Sequence, residues 1–298
     1  MTESASQEII DFTIKKGFTN RGNTCFYNAT LQSIFKCKKL IELLKNYSGQ
    51  NQLLRYLKIT IEDYYLKPNV ETIGPVLLLR SYMSMNSNYR FGSQEDAREC
   101  LTYFIDNFDM ATKQEGVNIS PLFDCNLVSQ LECPECNNKS ESNAPEKLIL
   151  LPIQSFTTFD DALNHFLADE ILSSDNKWDC DKCNKKVEAR KRLIIKGTPD
   201  YLFIALKRFE HEYIKETNKI KTSKINTNIL MPDTITINAA EYKIKGNIYH
   251  SGGLNGGHYV YFHKFDDKWS VFNDDNVDDN MKEDDIINRG YVYLYEKC

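Results

Sequence analysis

The sequence predicts an α+β fold in which helices come first and strands come later. Helical periodicity dominates residues 17 to about 115, whereas residues 200–298 have the patterns of strands. Between them, residues 120 to about 200 combine short apolar runs with two Cys-x-x-Cys pairs. Helices and strands segregated in this way are typical of an α+β architecture and not of an alternating α/β one.

Two patterns in the first third of the chain indicate helices. A first helix is indicated by apolar residues at helical spacing after Asn23-Thr24, namely Tyr27, Leu31, Ile34 and Phe35. A second helix is predicted to open at Ser93, because Ser93 and Asp96 match a capping box. The stretch from Leu40 to Leu79 is also predicted to be helical, with a break at Pro68-Asn69.

Strand patterns fill the last third. Tyr201–Leu206 is a continuous apolar run, which suits a strand buried on both faces. Apolar and polar residues alternate over 242–248, with Asn247 among the polar ones. Further strands are predicted at Tyr259–Phe262, Trp269–Phe272 and Tyr291–Tyr295.

Composition limits the class of protein. With 41% hydrophobic residues the 298-residue chain can bury a large core, and its net charge of −5 gives no general attraction to nucleic acid. The longest clean apolar stretch is far below the roughly 20 residues that span a membrane, and the first ten residues predict no secretory signal. The nine cysteines therefore indicate reduced thiols, metal ligands or a nucleophile in the cytoplasm, the nucleus or both.

Cys25 follows a glycine-bearing turn that begins at Gly17 and delivers the thiol to the first turn of the first predicted helix. Unpaired N–H groups and the helix dipole at that position favour a thiolate. Such a site can lower a cysteine pKa from about 8.5 into the range of about 3.5–7.5. On this context alone, a nucleophile and a buried structural cysteine are equally good interpretations, so a base is needed to decide between them.

His258 is the best candidate for that base, because four glycines precede it and a strand follows it. We expect a hairpin that sets Val260 opposite Val271 and His258 opposite Asn273, around a turn at Phe265-Asp266. The alternative turn, Asp266-Asp267, has the better turn residues but would set Val260 opposite Asn273. The apolar match favours the first register, which predicts that the Asn273 amide oxygen accepts the imidazole N–H of His258.

Four cysteines have the spacing of a metal site: Cys133, Cys136, Cys180 and Cys183. Four thiolates complete a tetrahedral zinc site with no open position, so the zinc would be structural. A redox Cys-x-x-Cys pair and metal-free loop cysteines remain as alternatives, and a zinc-ribbon nucleic-acid binder is a distant one. The acidic run from Asp274 to Asp285 is interpreted as a solvated loop, except for Asp274, which adjoins the candidate site at Asn273.

The motifs occur in an order that resembles the catalytic domain of the ubiquitin-specific proteases. They are GFTNRGNTCFYNATLQ, GSQEDARECL, CPEC, CDKC, LKRFE, GGHYVYFHK and KWSVFNDDNV. The resemblance implies a papain-like fold in a single catalytic domain, 17–298, after a polar lead-in at 1–16. It divides that domain into a helical thumb (about 17–120), zinc-bearing fingers (about 125–200) and a β-rich palm (about 200–298).

The same resemblance implies roles for individual residues. Cys25 is the expected nucleophile, His258 the base and Asn273 the residue that orients it, while Asn20 serves the oxyanion hole and Asp274 is an auxiliary polar residue. Contact with the substrate is implied for Gln94, Asp96, Glu99, Phe209, Gly256, Gly257 and Tyr259. From periodicity alone, Asp96 and Glu99 would instead be part of a solvated helix face.

The implied function is a thiol-dependent deubiquitinase that cleaves after the C-terminal glycine of ubiquitin, with a structural Zn²⁺. Ubiquitin and ubiquitin-conjugated proteins are the expected partners. The protein is expected to be a monomer that an activating partner can bind, and binding to nucleic acid or membrane is not expected. Two alternatives stay open, a protease for another ubiquitin-like modifier and a non-catalytic ubiquitin-binding adaptor. Arg21 and Cys100 depart from the family's usual residues without removing a catalytic group.

Overall fold

A computed structural model describes residues 9–87, 89–214, 218–253, 256–279, 281 and 287–298. The chain forms two compact units. The described residues of unit one fall within Met1–Ile119, Ile248–Gly252 and Gly256–Lys282. Those of unit two fall within Ser120–Asn247, Gly253–Asn255 and Glu283–Cys298.

Helices come first and strands dominate later, as the sequence predicts. The helices are α1 (Cys25–Phe35), α2 (Lys38–Lys45), α3 (Gln52–Tyr65), α4 (Val76–Met85), α5 (Ala97–Gln114), α6 (Ser120–Phe123) and α7 (Phe159–Leu167). The strands are β1 (Gly17–Phe18), β2 (Thr72–Ile73), β3 (Cys125–Glu132), β4 (Lys139–Glu146), β5 (Ile149–Leu151), β6 (Glu170–Leu172), β7 (Trp178–Cys180), β8 (Lys185–Val187), β9 (Ala189–Ile195), β10 (Tyr201–Leu206), β11 (Phe209–Ile214), β12 (Lys219–Lys224), β13 (Thr234–Ile237), β14 (Ala240–Gly253), β15 (Gly256–Phe265), β16 (Lys268–Asn273), β17 (Asn276–Asp278) and β18 (Val292–Lys297).

Helix α1 forms the centre of unit one. Every residue of α1 is buried, and the helix packs against both α5 and β15. A helix buried on all sides needs partners for its polar side chains. The Thr30 hydroxyl donates to the carbonyl of Phe26 at 2.8 Å, and the Gln32 amide donates to the carbonyl of Lys16 at 2.7 Å. The predicted helix is therefore confirmed, and it is more deeply buried than a one-sided apolar stripe indicates.

The predicted start of α5 at Ser93 is wrong. The helix begins at Ala97 and Asp96 is its N-cap, because the Asp96 carboxylate accepts the N–H groups of Arg98 at 2.8 Å and Glu99 at 3.1 Å. Because Asp96 caps the helix by itself, the helix does not need a capping box that starts at Ser93. The stretch from Leu40 to Leu79 also has a second interruption, where Asn51 caps α3.

The hairpin of β15 and β16 has the register that the sequence argument rejected. Tyr261 pairs with Phe272 and Phe262 with Val271, around the turn at Asp266-Asp267. The predicted pairing of Val260 with Val271 is therefore wrong. Asp266 adopts a positive φ of 50°, which aspartate tolerates well, so turn chemistry outweighed the apolar match. In unit one these strands follow the order β17-β16-β15-β14, with residues 248–252 of β14 taking part.

Unit two contains a sheet and the two cysteine knuckles. Its sheet follows the order β14-β18-β10-β5, and β10 is buried along its whole length as predicted. Asn247 on β14 is 0% exposed, so the alternation predicted for 242–248 fails at that residue. A second sheet has the order β4-β3-β9-β6, and the hairpin β7-β8 carries Cys180. Within the described part of the chain, the helices are too short or too polar to cross a membrane.

Lys36 terminates α1 inside an aromatic cage. The residue is 5% exposed, and its Nζ lies 4.9 to 5.1 Å from the ring centroids of Tyr64, Phe265 and Phe272. The ammonium also donates to the Tyr64 hydroxyl at 3.2 Å. Burial outweighs these contacts and, together with the charge of Lys15, lowers the pKa of Lys36 to about 7.

We expect Lys36→Met to stabilise the protein more at about pH 6 than at about pH 9.5. The unfolded lysine has a pKa of about 10.4, so between pH 7 and that value the unfolded chain binds more protons than the native one. The burial cost of Lys36 is thus complete below pH 7 and diminishes as the pH rises. Denaturant unfolding at both pH values measures the difference, with exposed Lys38→Met as control; an equal gain at both would contradict this assignment.

Candidate active site

A tight turn delivers Cys25 to the start of α1. Gly22 and Asn23 both have positive φ, at 95° and 56°, which bends the chain sharply before the helix. The Asn20 side-chain oxygen accepts the N–H groups of Gly22 at 3.0 Å and Thr24 at 3.2 Å. The side-chain oxygen of Asn20 therefore stabilises the turn, and its amide nitrogen is left to donate to Asp274.

The Cys25 thiol is 2% exposed and lies beside the start of β15. Its Sγ accepts a hydrogen bond from the backbone N–H of Tyr259, the residue after His258. Burial and the negative charge of Asp274 nevertheless raise the pKa of Cys25, against the lowering effect of the nearby N–H groups. The lowered pKa expected from the helix start alone is therefore wrong for the free protein, because desolvation dominates.

His258 is oriented by Asn273. The distance between His258 Nε2 and Asn273 Oδ1 is 2.6 Å. Since an amide oxygen only accepts, Nε2 carries the hydrogen and Nδ1 keeps its lone pair. In the observed register the two residues are diagonal neighbours on one face of the hairpin, within reach of long side chains. The contact between them is as predicted, although the register used to derive it is wrong.

Asp274 connects three separate segments of unit one. Its Oδ2 accepts from Asn20 Nδ2 at 2.8 Å and its Oδ1 from Asn28 Nδ2 at 2.7 Å. Its backbone carbonyl accepts the N–H of Phe18 at 2.7 Å, and its Oδ2 lies 3.9 Å from His258 Nε2. Asp274 has a φ of 52°, and this left-handed backbone conformation sets the direction of its carboxylate.

Asn28 also belongs to this network, although the sequence did not predict it as a site residue. It is 3% exposed, one turn after Cys25, and it also donates to the Phe18 carbonyl at 3.0 Å. A buried amide has to be hydrogen-bonded, but the burial of α1 on all sides is visible only in the structure, so the sequence offered no signal for Asn28.

Gln94 makes two hydrogen bonds to one residue of the histidine strand. Its Nε2 donates to the carbonyl of Gly257 at 2.8 Å, and its Oε1 accepts the N–H of Gly257 at 2.9 Å. Gly256 is exposed beside it, and Leu254-Asn255 of the same glycine loop lie outside the described residues.

The two predicted acidic residues meet an internal cation. Arg98 lies 2.9 Å from Glu99 Oε1 and 3.9 Å from Asp96 Oδ1, while Glu99 remains 68% exposed on its side chain. The Tyr259 hydroxyl accepts the N–H of Ala97, so this side chain is tied to the start of α5.

Phe209 lies in unit two. Its ring packs edge-on against Tyr291, with centroids 5.5 Å apart.

The four predicted metal ligands come together in unit two. The sulfur atoms of Cys133, Cys136, Cys180 and Cys183 all lie within 4.8 Å of one another. Two of the separations are 3.8 Å (Cys133 to Cys183) and 3.7 Å (Cys136 to Cys180). A tetrahedron with metal–sulfur bonds of about 2.3 Å has edges of about 3.8 Å, so the donor set fits one metal ion.

Comparisons with known proteins identify the family of the chain. The sequence model of the family described as ubiquitin carboxyl-terminal hydrolase matches residues 16–295. Ubiquitin carboxyl-terminal hydrolase Usp2 of Drosophila melanogaster is 27% identical over 94% of this chain and 34% of its own length. Ubiquitin carboxyl-terminal hydrolase 19 of Arabidopsis thaliana is 28% identical over 94% of this chain and 45% of its own. The chain thus spans between a third and half of these curated relatives.

Solved structures give the same fold. A chain of the SAGA Ubp8/Sgf11/Sus1/Sgf73 DUB module bound to ubiquitin aldehyde matches with a TM-score of 0.82 at 23% identity, covering 100% of this chain and 72% of that one. The predicted fold class is confirmed by this likeness. Since the family model extends over nearly the whole chain, we conclude that the chain belongs to the ubiquitin carboxyl-terminal hydrolase family.

Proposed function

We propose that this protein is a thiol-dependent deubiquitinase that hydrolyses the isopeptide or peptide bond after the C-terminal glycine of ubiquitin. One observation carries the proposal: the Cys25 thiol is held by the N–H that directly follows His258, and Asn273 holds the far nitrogen of that imidazole. Family membership supplies the substrate class. The ubiquitin aldehyde bound to a structural relative supports ubiquitin as the modifier.

The first half of the reaction is acyl transfer to Cys25. His258 takes the thiol proton through Nδ1, and the thiolate attacks the carbonyl carbon of the terminal glycine. The protonated imidazole then gives its proton to the departing lysine amine as the C–N bond breaks. In the second half, His258 activates a water molecule that hydrolyses the thioester and releases ubiquitin.

Asn20 and Asp274 support the charged states of this cycle. One N–H of the Asn20 amide is held by Asp274, which leaves its second N–H to donate to the oxyanion together with the backbone at the start of α1. The Asp274 carboxylate lies 3.9 Å from His258 Nε2, on the side of the ring that Asn273 holds. The same charge disfavours the Cys25 thiolate, so the resting site holds a thiol and the proton moves when substrate arrives.

The four cysteines of unit two are proposed to hold a structural Zn²⁺. Four thiolates leave no open position, so this ion supplies folding energy to the two knuckles and takes no part in the hydrolysis. We further propose ubiquitin conjugates as partners, with an activating partner acting on the buried thiol. A reducing cytoplasmic or nuclear location suits a catalytic thiol and a thiolate metal site.

Cys25→Ala is expected to abolish cleavage of a ubiquitin C-terminal fluorogenic substrate and to leave ubiquitin binding intact. The wild-type chain should gain one ubiquitin in intact mass when it reacts with ubiquitin bearing a thiol-reactive C-terminal warhead. The exposed cysteine variant Cys298→Ala is the matched control and should behave as wild type. Turnover retained in Cys25→Ala would refute the nucleophile.

A panel of warhead-bearing modifiers separates the two alternatives. An adduct with a SUMO-like or interferon-induced modifier and none with ubiquitin would establish a different substrate. Ubiquitin binding without any adduct or turnover would establish the adaptor.

Asn20→Ala and Asp274→Ala should each lower kcat by about 10²–10³, the effect of losing one oxyanion donor, with little change in KM. If Asp274 acts by holding Asn20, the double variant should lose hardly more than either single one. Steady-state kinetics of the three variants measures this coupling. Multiplied losses in the double variant would mean that the two residues act independently.

Cys183→Ser should reduce the zinc content from one ion per chain and lower the melting temperature, because the knuckles lose a ligand. Elemental analysis of the purified protein gives the stoichiometry, and Cys298→Ser is the control that leaves it unchanged. A metal-free wild type that unfolds at the same temperature with and without a strong chelator would disprove the zinc site.

A further inference from the structure

The segment that carries His258 is held at its start by contacts on two sides. On one side is the Gln94 carboxamide, which bonds both the N–H and the carbonyl of Gly257. On the other side lies β14, where a methyl group built on Gly257 would come within 2.0 Å of His250 Nε2 and 2.5 Å of the Ser251 carbonyl. Only glycine fits between them, so residue 257 has little freedom to shift.

The two residues after Gly257 carry the chemistry. The Ser251 hydroxyl donates to the His258 carbonyl at 3.3 Å, and the Tyr259 ring lies against His250 with centroids 4.5 Å apart. The N–H of Tyr259 then holds the Cys25 thiol. A displacement at Gly257 is passed on within one or two peptide units to the base and to the donor that contacts the nucleophile.

We propose that Gln94 is a positioning residue that clamps the Gly257 peptide and thereby aligns His258 and the Tyr259 N–H with the Cys25 thiol. A carboxamide suits this task because it offers one donor and one acceptor at the spacing of a peptide group. Both ends are engaged by the protein itself, so Gln94 acts on the substrate through Gly257.

This inference rests on the proposed function for its turnover arm only. Alignment matters because a displacement of about 1 Å in an active site can cost about 10² in rate. We therefore expect Gln94→Met, which keeps the side-chain length and removes both hydrogen bonds, to lower kcat about tenfold or more while KM changes less than about twofold.

A second arm needs no ubiquitin. Because the Tyr259 N–H favours the Cys25 thiolate, loosening it should move the pH profile of Cys25 alkylation by iodoacetamide to higher pH. Gln94→Glu, which still accepts from Gly257 but cannot donate to its carbonyl, should fall between Gln94→Met and the wild type in both assays. Ser93→Ala, a neighbouring loop residue outside the clamp, is the matched control and should match the wild type.

The outcomes separate the two hypotheses. A rise in KM with unchanged kcat and an unchanged alkylation profile would overturn the clamp and make Gln94 a substrate-binding residue. A shifted alkylation profile in a chain whose wild type does not cleave ubiquitin would support the clamp and reject the proposed substrate. Equal folding of the variants is checked by thermal unfolding, and Gln94→Glu decides the question if Gln94→Met is unstable.

Discussion

The carboxylate of Asp274 is the contact on which the rest of the active site depends. It bonds the oxyanion candidate Asn20 and the α1 residue Asn28, which are far from it in the sequence, and its backbone bonds Phe18 of β1. The partly buried Asp274 carboxylate is stabilised by several hydrogen-bond donors, and these donors belong to the segments that have to be aligned. One charge-assisted cluster thus fixes the turn before Cys25, helix α1 and the end of β16 relative to each other.

Chemistry-bearing residues were the most predictable part of the molecule. Cys25, His258, Asn273 and the four clustered cysteines of unit two stand in recognisable local motifs, and the fold class follows from the order of helical and strand patterns. Asn28 was missed because its neighbours in the helix predict an ordinary core face. Its role exists only through Asp274, a residue nearly 250 positions away, and no local pattern encodes such a contact.

The hairpin register failed for a physical reason that applies to similar hairpins. The predicted register, with Val260 opposite Val271, was chosen for its apolar cross-strand pairs, each of which contributes about 0.2–1 kcal/mol to stability. The turn at Asp266-Asp267 depends instead on backbone conformation, and aspartate tolerates the positive φ that Asp266 adopts. Diagonal neighbours on one face of a hairpin can still touch, so His258 can contact Asn273 in either register. The contact was therefore predicted correctly although the strand pairing was not.

The raised pKa of Cys25 explains why the contacts around His258 matter. Burial and Asp274 both oppose the thiolate, whereas the Tyr259 N–H and the helix start support it. In the proposed mechanism the thiolate therefore forms only during the reaction, which requires His258 to be in place beforehand. In the proposed mechanism, contacts that hold the imidazole and its peptide, from Asn273 on one side and from Gly257 on the other, support catalysis because they keep the base aligned with the nucleophile.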